Sequence, residues 1–533
     1  LKGLATALFA LVAAAIVAAW AWLGAPVQMP ASPLEPNKSP HCISYAPFRG
    51  DESPFGPDIP VDARQIDTDL AQLKPITNCV RTYSIDHGLD QIAEVAQRHG
   101  MRVMQGLWLS NRPERSRAQV ATAIALAKRF PDTIVSVVVG NEVLLRGEMS
   151  APELARTIRE VRSQVSMPVT YADVWEFWLR HQDIAAAVDF ITIHVLPYWE
   201  DFPIPARDAA AHVEAIRRRM IAAFPDKEVF LGEFGWPSFG RMREGAFPSP
   251  VNQARTLHEV LAQANREGYR VNLIEAYDQP WKRQLEGAVG GHWGLFDAYR
   301  RKPKFAWGGA VSNHRNWGWQ AVGGVALAGA IFATGFAVQR RGTAKIHSGF
   351  WLRVAVMAVV PACLFGWTIE NIPLESLTAG DWLRSSAWAA VALMAPVLAT
   401  AALGRGANAP TFAQILGRSA QRPRDWLELS LGVVLIVLAV LAVQAALGLV
   451  FDPRYRDFPF APLTGAVVPF LVLVGWKGRP KAPAAERTAA TVLVLSALYI
   501  AVNEGLPNWQ ALWFSAGLLA MAFTLLQARD APG

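Results

Sequence analysis

The chain has 533 residues, 52% of them hydrophobic and only 18% charged, with 51 Lys+Arg against 44 Asp+Glu for a formal net charge of +7 and a pI near 9.4. That balance excludes a disordered or collagen-like chain and predicts membrane segments. Three cysteines exclude a disulfide scaffold and a four-thiolate zinc site.

From Leu4 to Leu23 the sequence is an almost unbroken apolar run without a charge, long enough to cross a bilayer. Residues 1–25 therefore read as an N-terminal transmembrane anchor, with a cleaved signal peptide as the alternative. Residues 26–40 form a Pro-rich, semi-rigid linker. Residues 41–316 have soluble character, and short β-rich runs alternate there with amphipathic stretches. The candidate strands are Ile43 to Ala46, Cys79 to Ser84, Arg102 to Leu109, Ile134 to Val139, Val169 to Ala172, Phe190 to Val195, Val229 to Gly232 and Asn272 to Tyr277. Eight such units in a block close to the roughly 250 residues of a (β/α)8 barrel predict that fold, an α/β TIM barrel. A doubly wound sheet would want a Gly-rich phosphate turn after the first strand, and Ile43 to Phe48 has none.

Residues 317–533 change character again and predict an all-α polytopic membrane domain. Apolar runs near 317–338, 349–368, 386–403, 429–451, 460–476, 488–503 and 508–526 give about seven transmembrane helices. Arg340, Arg341 and Lys345 follow the first run, Arg405, Arg418, Arg422 and Arg424 the third, and Lys477, Arg479, Lys481 and Arg487 the fifth. The alternate connections carry Glu370, Glu375, Asp381, Asp452, Asp457 and Glu504, with Arg384, Arg454 and Arg456 their only cations. The positive-inside rule then puts both termini in the cytoplasm and the barrel across the membrane, in the periplasm of a bacterial inner-membrane protein. Charge bookkeeping agrees. Residues 31–316 hold 34 cations and 34 anions, and the remainder, with 17 against 10, carries the whole surplus. The basic pI is thus a topology signal, and no nucleic-acid partner is expected.

Two carboxylates follow directly on strands that would point at the barrel's C-terminal mouth, where catalytic groups of such barrels sit. They are Glu142, in Val139-Gly140-Asn141-Glu142, and Glu233, in Leu231 to Ser238 (Leu-Gly-Glu-Phe-Gly-Trp-Pro-Ser). Two glutamates facing each other about 5 to 5.5 Å apart are what retaining glycoside chemistry needs. The Gly-Asn-Glu at 140–142, the Gly-Glu-Phe-Gly-Trp-Pro-Ser at 232–238 and the Glu-Ala-Tyr-Asp-Gln-Pro-Trp-Lys at 275–282 resemble glycoside hydrolase family 17, the β-1,3-glucanase and glucanosyltransferase family. By that resemblance Glu142 is the acid/base, Glu233 the nucleophile, and Asn141 bonds the 2-hydroxyl of the transferred sugar. The acid must hold a proton before the first step, which predicts a raised pKa for Glu142 and an ionised Glu233.

A β-glucosyl ring packs its axial hydrogens on flat apolar faces. Strand ends supply Tyr45, Tyr83, Trp108, Tyr171, Tyr198, Trp199, Trp236, Tyr277 and Trp281, and Arg81, Asp86, Asp173, His194, Glu275, Asp278 and Lys282 are candidates to hold hydroxyls. Glu275 and Lys282 also match the family's eighth-strand pattern as partners supporting the nucleophile. His194 has no second ligand spaced to make it a metal site, and neither metal nor cofactor is expected. Cys42 and Cys79 open neighbouring strands at a separation compatible with a disulfide, and the far side of the membrane is oxidising.

The barrel with a polytopic tail resembles the rhizobial-type inner-membrane β-(1→6)-glucan synthases. That likeness implies a membrane-bound glucanosyltransferase taking β-1,3-glucan or laminari-oligosaccharides as donor and acceptor, beside a lipid bilayer and a glucan-polymerising glycosyltransferase. Hydrolysis of β-1,3-glucan is one alternative. A glucan-binding transporter component is another, disfavoured because the tail's runs hold almost no ionisable residue in their interiors.

Overall fold

In a computed structural model of the chain, the described residues are 2–34, 41–50, 52–56, 60–299, 301–341, 348–418, 423, 425–477 and 479–527. Linker residues 35–40 and the loop cations Lys345, Arg422 and Arg424 lie outside them. The chain divides into two units.

The first unit comprises Val27–Phe239 and Gly245–Val311. Its core is a closed, all-parallel barrel of eight strands in sequence order. They are β1 (Cys42–Ser44), β2 (Cys79–Arg81), β3 (Arg102–Leu107), β4 (Ile134–Asn141), β5 (Val169–Val174), β6 (Ile191–His194), β7 (Val229–Phe234) and β8 (Val271–Leu273). Strand alternation sorts the side chains. In β4, Val137 and Val139 join the large core shared with helix residues Leu70, Ala123 and Ile158. Val138 belongs instead to a small inner cluster with Cys42, Cys79, Met104, Ala172, Phe190 and Phe230. Within that cluster Cys42 and Cys79 form a disulfide, with Cα atoms 4.5 Å apart, that ties β1 to β2. The barrel unit begins earlier than the change in composition suggests. Val27–Gln28 pairs antiparallel with Ala310–Val311, and Asn265 Nδ2 donates to Pro33 O at 2.7 Å, so the first linker residues are bound into the unit.

The second unit comprises Leu1–Pro26, Gly240–Glu244 and Ser312–Gly533. Among the described residues, seven of its helices are long and apolar enough to cross a membrane, one of them the N-terminal Lys2–Leu23. The tail therefore holds six of these, and Phe460–Trp476, expected as a seventh, is a shorter apolar helix. Large apolar side chains such as Trp22, Leu352, Val440 and Val502 stay exposed on these helices. Small residues bring backbones together: a Cβ on Gly324 would lie 2.5 Å from Ala362 O. The unit also takes in the pentapeptide 240–244. Arg241 pairs with Glu504 and stacks 4.6 Å from Phe458, Met242 N donates to Gln510 Oε1 at 2.7 Å, and Asn508 Nδ2 donates to Met242 O at 3.0 Å.

Candidate active site

Three strand pairings lose register at the same end of the barrel: β4–β5 between Val138 and Asn141, β6–β7 between Ile193 and His194, and β7–β8 between Leu231 and Phe234. Such bulges re-aim side chains. Gly140 adopts φ 87° and Glu142 φ 51°, while Glu142 N donates to Ala172 O at 2.8 Å. The chain therefore turns sharply past β4 and sets Glu142 beside β5. A Cβ at Gly140 would meet Val143 Cγ2 at 2.6 Å, so the turn needs glycine for space as well as for φ.

Arg81, fully buried on β2, organises what lies between. Its Nη2 donates to Asn141 Oδ1 at 2.5 Å, and its Nη1 donates to Gly232 O at 2.6 Å and Glu233 Oε1 at 3.3 Å. Because arginine only donates, the Asn141 amide is oriented with its NH2 free to donate elsewhere. The Tyr83 hydroxyl lies 2.9 Å from both Glu233 Oε1 and Ser44 Oγ, and Asn272 Nδ2 donates to Ser44 Oγ at 2.7 Å. A relay of donors thus runs Asn272, Ser44, Tyr83, Glu233. Burial and the Glu233 charge hold the Tyr83 hydroxyl well above its ordinary pKa, so it stays a donor. Sequence reasoning missed Ser44 and Asn272, which sit on β1 and β8 and carry no motif signal of their own.

His194 lies between the two glutamates, its side chain wholly buried. Its Nδ1 is 2.7 Å from Glu142 Oε1, and its Nε2 is 3.5 Å from Glu233 Oε1. The expectation that His194 lacks further ligands beside it is corrected here, because strand ends distant in sequence converge. One ligand atom each of Glu142, His194 and Glu233 lie within 4.8 Å of one another. By donor type the trio suits a metal ion, but the Arg81 guanidinium already supplies positive charge at that point, so the arrangement reads as a hydrogen-bonded carboxylate pair. The expected upward shift of Glu142 is also corrected. Burial pushes its carboxyl up, but the His194 hydrogen bond and the charges of Arg81 and Lys282 outweigh it and hold Glu142 below the usual range.

The model of the BtgE/BtgC glycoside hydrolase family matches residues 42–294, the stretch that holds every residue of this site. That block is a BtgE/BtgC glycoside hydrolase domain. It is similar to the glucan 1,3-beta-glucosidase of Arthroderma benhamiae, 28% identical over 46% of this chain and 84% of that protein. It is also similar to the glucan 1,3-beta-glucosidase of Saccharomyces cerevisiae, 25% identical over 43% and 80%. A solved relative is the family 17 β-1,3-glucanosyltransferase of Rhizomucor miehei, 25% identical over 49% of this chain and 94% of that one, at a TM-score of 0.44. These matches cover about half of the chain and do not carry the resemblance to rhizobial-type synthases.

Around the glycoside hydrolase site the remaining predicted residues divide. Glu275 and Lys282 pair with each other at 2.5 Å. Burial pushes the Glu275 carboxyl up to about 7 against the pull of Lys282. Asp173 accepts from the Tyr171 hydroxyl and from Val174 N, and burial raises it to about 6. Asp86 pairs with Arg115 at 2.7 Å, and Asp278 is taken up by Lys304 and Gly294 N. Trp108, Trp199 and Trp281 are part-exposed; Arg146 covers Trp108 at 4.1 Å, and Trp199 stacks on Trp293. Tyr45, Tyr171, Tyr277, Tyr198 and Trp236 offer no face to a sugar, contrary to expectation. The Tyr45 hydroxyl is turned onto Asp69, and Tyr198 and Trp236 pack into a cluster with Ile274, Val289 and Trp293. Phe55, which the sequence did not single out, is exposed and meets Trp281 edge-on at 5.4 Å.

Proposed function

We propose that the chain is a membrane-bound retaining β-glucanosyltransferase acting on β-1,3-glucan. The observation that carries this reading is the closeness of the two carboxylates: an oxygen of Glu142 and one of Glu233 lie within 4.8 Å. This suits the roughly 5 to 5.5 Å of retaining pairs and not the roughly 6.5 to 9.5 Å that an inverting pair leaves for water. Glu233 receives Tyr83 and Arg81 on Oε1, which leaves Oε2 to attack the anomeric carbon. As the glycosidic C–O bond breaks, Glu142, protonated in the reactive form of the enzyme although its neighbours hold its pKa below the usual range, gives its proton to the departing oxygen. Once Glu233 is esterified its charge is gone, and Glu142 takes the proton of the incoming hydroxyl, which displaces Glu233. Asn141, held through Oδ1 by Arg81, presents its NH2 to the sugar's 2-hydroxyl.

Likeness to curated glucan 1,3-beta-glucosidases supports the substrate, and the apolar helices with cations on alternate loops support a bacterial inner-membrane protein with a periplasmic barrel. Hydrolysis is the second reading, favoured by the glucosidase names of the curated relatives. Purified full-length protein incubated with laminari-oligosaccharides is expected to give products longer than its substrate, with both activities lost in Glu233→Gln. Shorter products alone would assign hydrolysis.

A further inference from the structure

Among the described residues His194 is the one side chain that meets both glutamates, and its two nitrogens face different company. On the Nε2 side, Arg81 Nη1 and Nη2 each stand at 3.4 Å, and guanidinium nitrogens have no lone pair to offer. The nearest acceptor on that side, Glu233 Oε1, is 3.5 Å away and already takes Tyr83 and Arg81. On the Nδ1 side stands a single acceptor, Glu142 Oε1, at 2.7 Å. The ring therefore places its lone pair towards Arg81 and its proton on Nδ1.

We propose that His194 is a positioning residue whose Nδ1–H stays bonded to Glu142 Oε1, so that the proton exchanged with the substrate is carried by Oε2 of Glu142. The assignment rests on the retaining reading above and adds which oxygen does the work. The neighbours leave little freedom. Around His194 are Glu142 beyond β4, Glu233 on β7, Arg81 on β2 and the Asp173 carboxyl on β5. Tyr83 bonds Glu233, and Lys282 acts on Glu142 through its charge. A fixed donor on Oε1 also favours the ionised form of Glu142, which suits its duty as base in the second half of the reaction.

The test is the pH profile of kcat/KM for laminari-oligosaccharides, whose alkaline limb reports the essential acid of the free enzyme. Removing the donor in His194→Phe should move that limb up by about one pH unit. His194→Asn, whose amide NH2 falls near the Nδ1 position, should return it towards the parent value. An unmoved or lowered limb in His194→Phe, or equal limbs in the two variants, overturns the proposal. Should His194→Phe not fold, full-length protein labelled with 15N-histidine decides, using His194→Asn to assign the signal: an Nδ1–H tautomer is expected, and an Nε2–H tautomer overturns it. Undiminished turnover in Glu142→Gln and Glu233→Gln would instead sink the retaining reading, whatever His194 does.

Discussion

Arg81 in the barrel unit and Arg479 in the helical unit are both buried, at 0% and 2% exposure, yet they hold different things. Arg81 grips side chains: Asn141, Glu233 and, against Nε2, His194. Arg479 grips backbone, donating to Ala409 O, Pro410 O and Leu525 O, with Glu486 as its counter-ion. Desolvating a guanidinium is costly in either place. In the barrel the cost is offset by fixing Asn141 and Glu233, the groups proposed to meet a substrate. In the helical unit it is offset by closing carbonyls that an apolar environment would leave unpaired.

If that contrast holds, neutralising the two arginines should fail in different ways. Arg81→Met is expected to lower glucan turnover by roughly 10²-fold or more, since Asn141 and Glu233 lose a shared anchor; turnover within about threefold of the parent would mean that Tyr83 alone positions the nucleophile. Arg479→Met should instead cost about 3 to 5 kcal/mol of stability, because Glu486 Oε2 already lacks a partner and Oε1 would keep only Phe412 N at 3.3 Å. Replacing both partners, Arg479→Met with Glu486→Leu, should recover most of that loss in detergent-solubilised thermal melts. Opening the disulfide in a Cys42→Ala, Cys79→Ala pair should take about 2 to 4 kcal/mol from the barrel, given its sequence separation of 37 residues. The helical unit should show no such dependence on reductant, its described cysteine, Cys363, being free.

The smallest effect expected is on pH. Glu275 holds its proton in the fold up to about 7, well above its unfolded value. The folded state therefore binds more protons than the unfolded chain between those values, and barrel stability is greatest below the unfolded pKa and falls as pH rises through about 7. A change of about 1 to 3 kcal/mol is expected, and Glu275→Gln should flatten it; a melting profile that rises with pH over this range would contradict the assignment.

Much of this was legible beforehand, and for physical reasons. Each barrel strand is a short β-branched or apolar run bounded by turn residues, so all eight register in the sequence, and Glu142 and Glu233 are marked by standing where such runs stop. The aromatics were less legible. Tyr198 and Trp236 stand just past strands, as a sugar platform would, but their loops fold back onto Ile274 and Val289. Whether a ring faces the mouth or the packing depends on bulges that composition does not encode. His194 was visible only as a lone polar residue, because its role comes from strand ends remote in sequence, Glu142 standing 52 positions before it. The pentapeptide 240–244 looked like any polar loop, and its partner Glu504 lies 263 positions along the chain from Arg241.

The left-handed backbone of Glu142 sets the fold at odds with its own proposed chemistry. At φ 51° a side chain beyond Cα is a steric burden, and glycine is what the local backbone prefers. Exchanging this glutamate for glycine would relieve that strain at the cost of the proposed acid/base carboxylate. The substitution Glu142→Gly should therefore be inert towards glucan and yet melt no lower than the parent, marking the position where folding and turnover compete for one residue.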